Sequence, residues 1–150
     1  MVLVYIDQAD QQIKKSSLEA MSYGAALAKQ LGCDGAALVL GTVQDNLAEL
    51  GKSGAQKVYH LKNETLNSLD VKLHSTLIAN AAKNVNATVV IFANNINGKA
   101  IAPAVSVKLE AGLVTGASSL PDTENGFVVT KTVFSGKAFA SIQIETPIKV

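Results

Sequence analysis

An α/β fold with a mostly parallel sheet and a C-terminal antiparallel hairpin follows from three features of this 150-residue sequence. Short apolar runs, too brief to be buried helices, alternate with longer segments of helical periodicity, the pattern of strands joined by crossover helices. Nearly half the residues are apolar, aromatic residues are sparse and tryptophan is absent, so the core is aliphatic, which suits a sheet covered by helices. The last part changes character: "FVVTKTVF" and "AFASIQIE" alternate in polarity around a short Ser-Gly turn, the signature of a hairpin. The length fits one domain that buries about two thirds of its unfolded surface.

The elements follow in order. Residues 2–7, "VLVYID", read as the first strand, and residues 16–31 as a helix, with Ser16 and Glu19 as its capping box and Gly32 as its stop. Residues 35–41, "GAALVLG", contain nothing polar and predict a strand buried on both faces. Residues 46–50 read as a short helix ended by Gly51, and residues 57–61, "KVYHL", as the third strand. A long helix is predicted over residues 69–85, with Leu69, Leu73, Leu77, Ile78, Ala81, Ala82 and Val85 on its buried stripe, followed by a fourth strand at 88–93. After "ANNINGKAIAPAV" a helix over about residues 100–110 aligns Ile101, Val105 and Leu109 on one face. That placement puts Pro103 in the first turns, where its missing N–H has no intrahelical partner. In the hairpin, Phe127, Val129, Lys131 and Val133 fall on one face and Val128, Thr130, Thr132 and Phe134 on the other.

Composition also excludes function classes. All thirteen basic residues are lysines, there is no arginine, and the net charge is +1, which argues against nucleic acid and multi-phosphate ligands. The lone Cys33 excludes an internal disulfide, and with only His60 and His74 it is too little for a thiolate metal site; the cysteine usage fits a reducing, cytoplasmic setting. No apolar segment is long enough for a signal peptide or a membrane span, so a soluble chain is expected.

In an open α/β sheet a ligand sits beyond the carboxyl ends of the strands where their order reverses, which points to Asp7, Gly41 and the segment from Asn94 to Gly98, with Lys99 after it. The first strand runs into "DQADQQIKKSS", which has no glycine and so neither a dinucleotide fingerprint nor a P-loop. Asp7 can hold a ribose hydroxyl or a water, or simply form a turn. Asn94, Asn95, Asn97 and Gly98 can offer amides and helix N–H groups to an anion or a nucleobase, or merely end a strand and cap a helix. Lys99 adds one mobile charge. His60 alternates with Tyr59, so one of the two faces solvent, and His74 reads as a surface or boundary residue of its helix. No Ser, Cys or Thr is paired with a base and no carboxylate pair has acid–base spacing, so no enzyme is expected.

Four segments together resemble the amino-terminal domain of the alpha subunit of electron transfer flavoprotein: "VLVYID" with "KKSSLEAMSYGAALAKQLG", "ALVLG" with "LGKSGAQKVYHL", "NGKAIAPAVSVKLEAGLVTG", and "VVTKTVFSGKAFA". The resemblance implies a three-layer Rossmann-like domain of the adenine nucleotide alpha hydrolase-like type, with residues 1–150 as the amino-terminal domain and the FAD-binding carboxyl-terminal domain absent after "IETPIKV". It further implies a beta-subunit partner in which AMP resides, FAD carried by the complete subunit and not by this part alone, and electron shuttling from flavin dehydrogenases to a membrane quinone oxidoreductase. Two departures stand out. Ala104 occupies the place of an arginine in the family's pattern, and Thr115-Gly116 replaces its Ser-Asp pair. The alternative expectation is a small adenine-nucleotide-binding module similar to universal stress proteins, with Asp7, Gly41 and Asn94 at the ligand.

Overall fold

The computed structural model describes residues 1–150. Its centre is a parallel sheet of four strands, β1 (Val2–Ile6), β4 (Gly35–Leu40), β5 (Lys57–Leu61) and β6 (Val89–Ile91), in the order β5-β4-β1-β6. Both β1 and β4 are buried along their whole length, and Tyr5 is the one residue in either that carries a polar group. Alternate residues of β1 point into two cores. Val2, Val4 and Ile6 meet Ala20, Met21, Leu27 and Ala28 of helix α1 (Lys15–Gln30) on one face. Leu3 and Tyr5 meet Ile78, Ala82, Ile101, Val105 and Leu109 on the other face, from helices α2 (Val71–Asn84) and α3 (Ile96–Leu109). This is the three-layer α/β arrangement the sequence predicts, completed by the antiparallel pair β7 (Val128–Val133) and β8 (Ala138–Gln143), which forms a sheet of its own.

Several local expectations are corrected. Helix α1 has no side-chain cap at Lys14, so Ser16 and Glu19 do not form a capping box; Ser17 instead turns inward to the end of β1. The helix does stop at a left-handed Gly32. The segment after β4 is a 3₁₀ helix, Leu47–Ser53, capped by Asn46 and ended by the left-handed Gly54, not by Gly51. The α2 stripe keeps Ile78 and Ala82 buried, with Leu77, Ala81 and Val85 packed partly buried against the same core, but Leu69 precedes the helix, Leu69 and Leu73 are 41% and 39% exposed, and His74, Ser75 and Ala79 are buried as well. Small residues there let α2 lie close to α3 and the sheet, and Leu69 and Leu73 stay at the rim. Helix α3 begins at Ile96, a full turn earlier than predicted, because the Asn95 side chain accepts the Gly98 N–H. Pro103 therefore lies inside the helix, on its exposed side. The hairpin turn spans four residues, 134–137, with Phe134, Ser135 and Gly136 all at positive φ, and it contains the expected Ser-Gly pair.

The glycine-free "DQADQQIKKSS" becomes a miniature hairpin, β2 (Gln8–Ala9) against β3 (Gln12–Ile13), turning through Asp10 and Gln11 at φ 51° and 64°. It occupies the turn that a phosphate-binding loop takes in nucleotide-binding sheets.

Candidate functional site

The strand order fixes where a ligand crevice can lie. From β1 the chain moves outward to β4 and β5, then returns to the other side of β1 as β6, so the order reverses between β1 and β6. Asp7 leaves β1 at this point, and Asn95 and Asn97 open α3 just after β6. The structure brings these three together. The Asp7 carboxylate accepts hydrogen bonds from Asn95 Nδ2 at 3.0 Å and from Asn97 Nδ2 at 2.9 Å, and pairs with Lys14 Nζ at 2.6 Å. Its backbone is clasped as well: the Asp7 N–H donates to Ser17 Oγ at 2.8 Å and the Ser17 hydroxyl donates to the Asp7 carbonyl at 2.9 Å. Asn95 Nδ2 also reaches Ser16 Oγ at 3.3 Å.

The result is a polar plug. Asp7 is 4% exposed and its carboxylate is surrounded by three donors, Lys14 at the start of α1 and Asn95 and Asn97 at the start of α3, which is what a buried charge requires. A helix N-terminus favours an anion, and here the anion beside the first turn of α3 is the chain's own. Tyr5, one strand position pair before Asp7, is pushed well above the ordinary phenol range, first by burial and then by the Asp7 charge. Its ring lies 5.7 Å from that of Phe92, the residue after β6.

The other predicted site residues divide between two places. Asn94, Gly98 and Lys99 line a groove of about 410 Å³ beside α3, where Lys99 makes no ion pair. Gly98 cannot carry a side chain, because a Cβ would fall on the Ala93 carbonyl oxygen. Gly41 stands apart at the end of β4. Its carbonyl is 2.7 Å from His60 Nε2, and a Cβ there would come within 2.7 Å of Asn67 Oδ1, so this glycine makes room for the loop after β5. Sequence reasoning missed Lys14 and Ser17, since a lysine and a serine ahead of a helix carry no signal of what they face. It also misplaced His74, which is 2% exposed. The His74 ring fastens the start of α2: Nε2 lies 3.2 Å from the Leu66 carbonyl, while the Asp70 N–H points at Nδ1. Of the pair in β5, His60 is the exposed one and Tyr59 is half-buried.

These residues do not fit FAD or AMP at the switch point. The position for a phosphate is taken by the Asp7 carboxylate, the first turn carries no glycine loop, and no arginine is available. No group of three or more His, Cys, Asp or Glu side chains is gathered that could hold a metal ion, and no helix is long and apolar enough to cross a membrane.

Fold and site thus define a Rossmann-like sheet domain whose switch point holds a buried carboxylate, Asp7, bound by the chain's own side chains. The chain belongs to the family described as "Electron transfer flavoprotein domain", which it matches over residues 2–150. Its curated relatives bear out the expected kinship with alpha subunits. The electron transfer flavoprotein subunit alpha of Syntrophomonas wolfei is 28% identical over 142 residues, covering 94% of this chain and 44% of the relative. Protein FixB of Clostridium saccharobutylicum is 27% identical, covering 94% and 43%. The chain therefore spans less than half the length of the curated relatives it matches. Among solved structures, a universal stress protein from Archaeoglobus fulgidus is similar at 14% identity and a TM-score of 0.43, covering 73% of this chain and 89% of that one; a likeness so distant carries no functional argument.

Proposed function

We propose that this chain is the supporting and partner-contact domain of an electron transfer flavoprotein alpha subunit. In this reading it pairs with a beta subunit, FAD is held elsewhere in the complete subunit, and the assembly carries electrons from flavin dehydrogenases to a quinone oxidoreductase. The domain itself performs no bond chemistry, and AMP, where the assembly has it, sits in the beta subunit. The observation that supports this is the plug: Asp7, held by Lys14, Asn95 and Asn97, fills the crevice in which a nucleotide-binding sheet would seat its phosphate. The replacement of the family's arginine by Ala104 removes a planar charged fork that lysine does not reproduce.

A second reading, a small adenine-nucleotide-binding module, draws on the 410 Å³ groove, whose size is within the range of small-molecule pockets and whose wall includes Asn94, Gly98 and the unpaired Lys99. Calorimetry on the purified chain separates the two. Titration with AMP, ATP and FAD in turn should give no heat of binding, and the protein should be colourless. Micromolar binding of AMP or ATP would establish the second reading, and a yellow protein that retains flavin through gel filtration would overturn the first.

A further inference from the structure

Two asparagine–glycine pairs occur in the sequence, Asn97-Gly98 and Asn125-Gly126. This dipeptide is labile in water, because the glycine nitrogen can attack the asparagine side-chain carbonyl with no side chain of its own to crowd the approach. Both glycines are present for reasons of packing. A Cβ at Gly98 would fall on the Ala93 carbonyl oxygen, and one at Gly126, where φ is 119°, would come within 2.6 Å of Gln143 Nε2. The fold therefore carries the same reactive pair twice, in opposite surroundings.

At Asn97-Gly98 the groups that would react are already held. Asn97 is the second residue of α3, and its amide donates to the Asp7 carboxylate at 2.9 Å. The Gly98 N–H donates to Asn95 Oδ1 at 2.8 Å, and Gly98 is buried. Attack there requires both bonds to break and the first turn of α3 to unwind. At Asn125-Gly126 nothing is held. Both residues are exposed, the Asn125 side chain makes no hydrogen bond, and the Gly126 N–H has no acceptor. They lie in a bend whose two ends, Asp122 and Val128, are joined by N–H to carbonyl bonds of 2.9 Å in both directions.

We propose that Asn125 is a site of spontaneous deamidation and isoaspartate formation in the folded protein, and that the Asp7 plug shields Asn97 from the same reaction. The Gly126 nitrogen gives up its proton and bonds to Asn125 Cγ, while the Cγ–Nδ2 bond breaks and the amide leaves as ammonia, taking that proton. The five-membered succinimide then adds one water. Opening at Cγ gives aspartate; opening at the backbone carbonyl gives isoaspartate, whose main chain runs through the former side chain. Nothing is oxidised or reduced, and water is the only co-reactant. The product sets a new carboxylate beside exposed Asp122 and Glu124, and isoaspartate lengthens by one backbone atom a bend whose ends are pinned. At Asn97 the same change would replace a donor to buried Asp7 with a second carboxylate, so shielding there preserves the plug. Neither outcome of the nucleotide titrations bears on this reaction.

The purified chain is aged at mildly alkaline pH, once folded and once in urea, and then cleaved after lysine under mildly acidic conditions. Cleavage places Asn97 in the peptide 84–99 and Asn125 in the peptide 109–131. Mass spectrometry with fragmentation locates each converted residue, and methyl transfer from S-adenosylmethionine by an added isoaspartyl methyltransferase counts isoaspartate. In the folded chain Asn125 should convert at least about tenfold faster than Asn97, with isoaspartate among its products, and in urea the two rates should converge as Asn97 is released. Comparable conversion of both residues in the folded chain overturns the proposal. So does a folded-state rate at Asn125 about tenfold or more below its rate in urea, since the bend would then be protective. A preference for Asn125 that persists undiminished in urea also overturns it, because flanking sequence and not the fold would then set the rate.

Discussion

Asp7 and Lys14 do not share the burden of their ion pair equally. The Lys14 side chain is 33% exposed and can swing into water if its partner is removed, whereas Asp7, with a side chain 5% exposed, cannot. Asp7→Ala is therefore expected to lower stability by about 2 kcal/mol, the loss of charge-assisted hydrogen bonds. Lys14→Met, which leaves a buried carboxylate with only two amides, is expected to cost more, about 3 kcal/mol. Urea denaturation of both variants checks the order, and the reverse order would mean that the plug is solvated. Tyr5 gives a pH test. Because its folded pKa is raised above the unfolded value near 10, the stabilisation is full below that value and is lost as pH rises past it. Stability should fall steeply above about pH 10, and Tyr5→Phe should flatten that fall; a part remains because burial also raises half-buried Tyr23.

Helix α3 shows how one element is fitted to its neighbours at some expense to itself. Its start is fixed by Asn95, whose side chain caps the helix through one atom and reaches Asp7 through another, so capping and plug are one arrangement. Starting there places Pro103 seven residues past Ile96, where its ring takes away the N–H that would meet the Lys99 carbonyl. Because Pro103 faces solvent, the helix accommodates it without disturbing Ile101, Val105 or Leu109, all buried. Pro103→Ala is expected to stabilise the protein by about 2 kcal/mol, read as a rise of several degrees in Tm. No rise would mean that the missing N–H costs the helix nothing at this exposed position. Helix α2 buries Ile78 and Ala82 of its apolar stripe together with His74, Ser75 and Ala79, while Leu73 is left at the rim. Closeness of packing outweighed hydrophobicity.

For the molecule as a whole, the contact of α3 with the end of β6 sets the distance between the helical layer and the sheet at the switch point. Gly98→Ala puts a methyl group on the Ala93 carbonyl, a backbone atom that cannot rotate away, so the helix must lift. The expected cost is about 3 kcal/mol, with loss of the Asn95 and Asn97 bonds to Asp7; equilibrium unfolding together with the side-chain amide signals of both asparagines checks it. An unperturbed variant would show that the layer is free to slide. The same closeness supports the supporting-domain reading, because a sheet whose switch point is closed by its own side chains is suited to carrying other parts of an assembly.

What the sequence determined by itself is the layered class and the strand ends at which Asp7 and Asn94–Gly98 lie. Val2–Ile6 and Gly35–Leu40 were legible because strands buried on both faces are runs of apolar and aromatic residues without charge, and Asp7 and Asn94–Gly98 were legible because polar residues directly after such strands lie at the sheet's edge. Only the tertiary structure decided what fills that edge. Lys14 and Ser17 reach Asp7 across a hairpin turned by Asp10 and Gln11, and Asn95 and Asn97 reach it from nearly the other end of the sheet's chain path. A buried carboxylate takes whichever donors the fold places within about 3 Å, and that proximity is a property of layers meeting in space, which no local spacing of residues records.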